Sequence, residues 1–221
     1  MDAGVEGLYS VGVAKYKSIN EPNAAVETAD QLKHKYTHLM GQESLSLGRI
    51  AGRPLEKENM KAKTYKTSCD LPPTVRESMI ELLNQHLADT SDLYSQAKQA
   101  HWNVKGAQFY QLHELFDKLA AQVEEFADMI AERVTALGGS ALGTVRMSAS
   151  ASRLPEYAID GSGSMAPVQS LVKRFAQLAG STRTAIDAAA TAGDADTADL
   201  FTEVSRGLDK SLWFLEAHVQ E

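Results

Sequence analysis

The sequence predicts an all-α fold, a four-helix bundle with a long crossover connection between helices two and three. Three observations predict it. Apolar residues recur at helical spacing through four stretches after residue 74, glycines punctuate the ends of the first three, and an aperiodic interval rich in Ser and Gly separates the second from the third.

The first helix is expected from about Thr74 to Asn103, where Val75, Met79, Leu82, Leu83, Leu87, Leu93, Tyr94 and Ala97 fall three or four apart with Glu77, Asn84 and Gln85 between them. Lys105 and Gly106 break it. The second runs from about Phe109 to Ala136 through Leu112, Leu115, Phe116, Leu119, Val123, Phe126, Ile130 and Val134, and Gly138 and Gly139 supply its stop. From Gly139 to Ser164 the periodicity lapses around Pro155 and the run Gly161 to Ser164; this is the crossover, with room for a short helix. The third helix starts near Pro167, a residue tolerated in a first turn, and stops near Gly193. The last spans about Thr197 to Val219, with Leu200, Val204, Leu208, Leu212 and Leu215 on its stripe and Trp213 and Phe214 widening it.

Residues 74–221 therefore form the bundle, and residues 60–73 read as a lysine-bearing tail. The first 59 residues are interrupted by Gly, Asn and Pro, hold seven basic and eight acidic side chains, and look helical only from Val26 to Met40; they are expected to be a partly disordered extension. Met60 opens a stretch that could begin a complete four-helix protein, so a start codon placed too early is one expected explanation of residues 1–59.

Composition narrows the chemistry. The chain has 221 residues, 43% hydrophobic and 23% charged, enough for one well-filled core. A net charge of -7 excludes a surface that is basic throughout, so any nucleic-acid contact must come from a local segment. The single cysteine, Cys69, rules out an intrachain disulfide and leaves a metal site to imidazole and carboxylate ligands. No apolar run approaches bilayer length and no signal-peptide pattern opens the chain, so a cytosolic protein is expected.

Candidate ligands then stand out: His101, His113, Asp117, Asp128 and Glu132. His113 and Asp117 are four apart, as are Asp128 and Glu132, so each pair projects from one helix face about one turn apart. Asp117 and Asp128 are eleven apart, which puts the two pairs on the same face but about 16 Å apart along the axis. One ion cannot bridge them within one chain. An identical chain packed antiparallel across a two-fold axis would bring one pair against the other and create two identical sites per dimer. Imidazole with carboxylate oxygens suits ferrous iron, and the carboxylates stabilise the ferric product. Carboxylates four apart are also common on a plain solvated helix face, so spacing alone leaves both readings open.

The residues around these positions carry a resemblance. His101-Trp102-Asn103-Val104-Lys105-Gly106, His113-Glu114 with Asp117, and Asp128 with Ala131-Glu132-Arg133 resemble the ferroxidase signature of the Dps family, miniferritins of the ferritin-like superfamily. The likeness continues through Ala136 to Gly139, Asp196 to Asp199 and Ser205 to Lys210 with Leu212-Trp213-Phe214, and covers roughly Met60 to Glu221.

That resemblance implies a shell of twelve subunits with ferroxidase centres at two-fold interfaces, His101, His113 and Asp117 coming from one chain and Asp128 and Glu132 from its neighbour. It implies oxidation of ferrous iron, preferentially by hydrogen peroxide, deposition of ferric oxide in the cavity, and protection of DNA, with no organic cofactor. Trp102 would donate an electron or quench a radical beside the site; a buried packing aromatic is the other reading. Asp194, Asp196 and Asp199 would line the three-fold pore that admits iron, though Asp is favoured at a helix start as cap and dipole partner in any case. Arg133 points away from the ligand face and is expected in an ion pair, with Asp209 the candidate partner.

Lys61, Lys63 and Lys66 precede the first helix where several Dps proteins carry a DNA-binding arm. Three charges bind phosphate weakly, but linked copies on one particle gain through effective concentration. The alternative function is accordingly a nucleoid-associated protein that binds and compacts DNA without sequence preference, with secondary iron chemistry; a third reading is an interaction bundle that binds no iron. His34 and His38, also four apart, are a candidate accessory metal pair in the extension that lacks further ligands.

Overall fold

The computed structural model describes residues 63–158 and 165–220. The expected features before residue 63, among them Lys61, His34 and His38, lie outside the described residues. Helix α1 spans Pro73–Asn103, α2 Phe109–Ala136, the short α3 Val145–Ala151, α4 Ala166–Ala192 and α5 Ala195–Glu216. There is no strand among the described residues.

Two long hairpins make the bundle. A short loop folds α2 back along α1, and an abrupt turn at Gly193, in the left-handed conformation at φ 82°, folds α5 back along α4. The crossover carries α3, capped by Thr144, whose side chain accepts from the Met147 N–H. The interior runs from a cluster around Leu93, Phe116, Val123, Phe175 and Leu208 to a second around Ile80, Leu83, Ile130, Val134 and Phe201. Phe116, Phe175 and Phe201 are fully buried, and truncating any of them to Ala would cost ~3–5 kcal/mol.

Helix α5 begins two residues before the expected Thr197 because Asp194 caps it: its carboxylate accepts from the Thr197 N–H at 3.0 Å and from the Thr197 hydroxyl. It ends at Glu216, three residues early, in a turn over Ala217 to Val219. The same Asp194 corrects the expectation for Arg133. The guanidinium donates to Asp194 at 2.6 Å and to the Thr197 hydroxyl at 3.0 Å, with Asp196 at 3.6 Å. It meets the first turn of α5 rather than the stretch around Asp209, and Asp209 pairs with Arg183 of α4 at 2.8 Å.

The crossover is laced to α1. Asp89 accepts from the Arg153 backbone N–H at 2.7 Å and from its guanidinium, Asp92 accepts from the Ser152 hydroxyl at 2.6 Å, and Gln96 donates to the Pro155 carbonyl at 3.1 Å. Arg174 of α4 closes the lacing by donating to Gln96 and to the Glu156 carbonyl. Asp89 and Gln96 are buried, so these partners discharge polar groups that would otherwise be stranded.

Candidate metal centre

The α1–α2 hairpin sets the first half of the site. His101 lies in the last turn of α1 and His113 in the second turn of α2, and the hairpin brings their rings into a stack with centroids 3.7 Å apart at 22°. Each ring is held by the other's main chain. His101 Nδ1 donates to the His113 carbonyl at 2.8 Å, and His113 Nδ1 donates to the His101 carbonyl at 3.0 Å. These two bonds commit both protons to Nδ1 and leave both Nε2 lone pairs free, the tautomer and orientation a metal-binding imidazole requires.

Asp117, one turn after His113, lies with Oδ1 4.0 Å from His101 Nε2. The three ligand candidates expected from one chain are thus brought together at one end of the hairpin. A fourth residue joins them: Lys98, one turn before His101, donates to Asp117 Oδ1 at 2.6 Å. That hydrogen bond holds the Asp117 carboxyl below the usual carboxylate range and raises the Lys98 ammonium in turn. Lys98 was legible in principle, since it sits three residues before His101 and therefore on the same face.

Asp128 and Glu132 are exposed further along α2, with no hydrogen bond or ion pair to either carboxylate among the described residues. Among those residues no group of three or more His, Cys, Asp and Glu side chains is placed to hold a metal ion, so His101, His113 and Asp117 are neighbours but not a closed ligand set within one chain. No ion pair among the described residues joins Asp128 or Glu132 to either histidine. Between α1, α2 and α3 runs a groove of about 420 Å³ lined by Tyr94, Lys98, Trp102, Glu124, Ala127 and Val145. Glu124 precedes Asp128 by one turn on the same face, so the groove links the surroundings of both half-sites.

A ferritin-like domain model matches residues 80–221. The DNA protection during starvation protein of Agrobacterium fabrum is 48% identical over 159 residues, 72% of this chain and 98% of the relative. The protein of the same name from Brevibacillus brevis is 35% identical, over 66% of this chain and 98% of its own length. The chain belongs to the Dps family. Among solved Dps structures, DpsC from Streptomyces coelicolor superposes with a TM-score of 0.69 at 31% identity, covering 72% of this chain and 93% of its own. A Dps homologue from Halobacterium salinarum gives 0.68 at 26% identity, over 75% and 94%. The all-α ferritin-like bundle expected from periodicity is the fold that the Dps family shares.

Other residues singled out on Dps grounds are placed as follows. Trp102 is 66% exposed in the groove wall, so the buried-packing reading does not hold within one chain. Asp194 is 1% exposed and occupied as cap and partner of Arg133, which withdraws it from any pore surface; Asp196 and Asp199 remain exposed. Lys63 and Lys66 are exposed, but the backbone between them is fastened: the Tyr65 N–H donates to the Gly138 carbonyl at 2.7 Å, and the Ser140 hydroxyl donates to the Lys63 carbonyl at 2.8 Å. Gly138 permits this approach, since its φ is 88° and a Cβ would lie 2.6 Å from the Tyr65 carbonyl oxygen. Among the described residues no helix is long and apolar enough to cross a membrane.

Proposed function

We propose that this Dps-family chain is a cytoplasmic ferroxidase and iron-storage protein that oxidises ferrous iron, preferentially with hydrogen peroxide, inside a dodecameric shell and so protects DNA. The observation that carries the reading is the paired Nδ1-to-carbonyl bonding of His101 and His113, which leaves both Nε2 lone pairs free, that of His101 lying 4.0 Å from Asp117 Oδ1. Two imidazoles locked in the ligating tautomer are a costly arrangement for a merely structural contact, and a useful one for a ferrous substrate.

Asp128 and Glu132 of a second copy would complete the site across a two-fold axis, the groove beside Trp102 receiving that copy. Two ferrous ions would each give one electron to the O–O bond of peroxide, and hydrolysis of the ferric product would release protons as the oxide forms. This removes both reactants of hydroxyl-radical chemistry together. The carboxylates bear the extra charge of the ferric state, and Trp102 stands beside the site as an electron donor. Asp196 and Asp199 would draw iron toward a three-fold pore.

The test is iron oxidation by the assembled protein. Ferrous iron plus peroxide should give a rapid ferric absorbance rise, and the double variant His101→Gly, His113→Gly should lose the fast phase while its mass by light scattering stays that of the shell. Unchanged kinetics in that variant would sink the site assignment.

DNA binding is the second reading, and the exposed Lys63 and Lys66 favour it. The fastening of Tyr65 to Gly138 limits how much of this tail can act as a free arm.

A further inference from the structure

Away from the metal half-site, His86 is the one titratable side chain among the described residues with a buried polar atom that lacks a hydrogen-bond partner. Its ring is 2% exposed on the inner face of α1 and tilts against Phe201 of α5 with centroids 4.8 Å apart. Nδ1 donates to the Leu82 carbonyl at 3.0 Å. The proton is thereby committed to Nδ1, and Nε2 keeps a lone pair with no hydrogen-bond partner among the described residues. A neutral ring tolerates that position. A cationic ring would bring a second N–H and a full charge into the same enclosed space.

The charged groups that face it are few. Asp89 follows on α1 at 1% exposure, and Arg153 arrives from the crossover; α4 presents the backbone of Ser181 and α5 presents Phe201, neither of which titrates. Asp89 is already committed, accepting from the Arg153 backbone N–H at 2.7 Å, its Nε at 2.9 Å and its Nη2, with Gln85 at 3.3 Å. Arg153 is 46% exposed, so water can take over its guanidinium at small cost.

We propose that His86 is an acid-operated release for the crossover: when Nε2 takes up a proton, the imidazolium competes with Arg153 for Asp89, and Arg153 with the segment it anchors detaches from α1. Burial pushes the imidazole down from its ordinary value, with the Arg153 charge adding to this and the Leu82 carbonyl, Asp89 and the Ser181 backbone opposing it. The sign follows. A base whose folded-state pKa lies below its unfolded one favours folding fully above the unfolded value, about 6.5, and that contribution is lost as the pH falls through it. The release therefore belongs to mild acid.

The Arg153 amide is a direct reporter, because its N–H bonds to Asp89 itself. Hydrogen exchange of the full chain should be followed by mass spectrometry at about pH 7.5 and about pH 5, with rates corrected for intrinsic exchange. The peptide holding residues 152–158 should exchange about tenfold faster in acid. His86→Phe, which keeps an aromatic ring against Phe201 and cannot titrate, should abolish the acid increase, and His86→Gln serves if that variant does not fold. Arg153→Gln should exchange fast at both pH values. An acid increase that survives loss of the imidazole would overturn the proposal, as would a crossover that stays protected in acid or in Arg153→Gln at neutral pH.

Discussion

Lys98 donates a 2.6 Å hydrogen bond to Asp117, so an ammonium already rests on the carboxylate that lies 4.0 Å from His101 Nε2. A ferrous ion approaching Asp117 must displace that ammonium or share the carboxylate with it. The pair is largely solvated on the Asp117 side, so the competition is modest and sensitive to salt.

Lys98→Met should strengthen binding of ferrous iron, or of zinc as a redox-inert probe, by about two- to fivefold at low ionic strength. Anaerobic calorimetry reads this directly. Because Lys98 holds Asp117 below the usual carboxylate range, the carboxylate stays ionised to lower pH in the native chain than in the variant. Binding should accordingly fall off at higher pH in Lys98→Met. Identical pH profiles would remove Lys98 from the site.

Arg133→Gln should destabilise the bundle by ~3–5 kcal/mol, because the Asp194 charge is 1% exposed and would lose its partner. The double variant with Asp194→Asn should recover much of that loss, since the N-cap oxygen survives. Thermal unfolding of the two variants checks the pair; equal midpoints would mean that the charge matters little.

Gly207 of α5 faces Phe126 of α2, and a Cβ there would lie 2.3 Å from the ring's Cζ. Gly207→Ala should cost ~1–3 kcal/mol through overpacking despite the gain in helix propensity. Phe126→Leu should relieve the clash when the two are combined. A Gly207→Ala chain as stable as the parent would show that the helices can separate freely.

For the tail, the full chain and one starting after Lys66 should be compared by gel shift at two salt concentrations. If the lysines bind phosphate, truncation weakens the complex and flattens its dependence on salt. Equal behaviour would dismiss the tail as an arm.

The four long helices were legible because each buries one face, and burial writes a 3.6-residue rhythm into the chain. Boundaries followed where a residue type enforces them: Gly193 turns left-handed as its position suggested. Asp194 was readable as a cap but not as the partner of Arg133, because spacing within α2 says nothing about which turn of α5 lies opposite. The grouping of His101, His113 and Asp117 was partly legible, since the second and third share a face. What brings His101 to them is the closure of the hairpin. The tie between Asp89 and Arg153 left no trace in the sequence, because it joins a helix to an aperiodic segment 64 residues away.

The bonding of the two histidines has a further consequence. Each imidazole is steered by a carbonyl of the opposing helix of the hairpin, so replacing one ring leaves the other's hydrogen bond intact. The orientation is stored in the reach of the loop from Val104 to Gln108. One residue inserted in the first turn of α2, ahead of His113, would turn His113 by about 100° about its helix and misdirect both rings together, with every ligand still present in the chain. The register of the hairpin is thus a determinant of the candidate site that no inventory of ligands records.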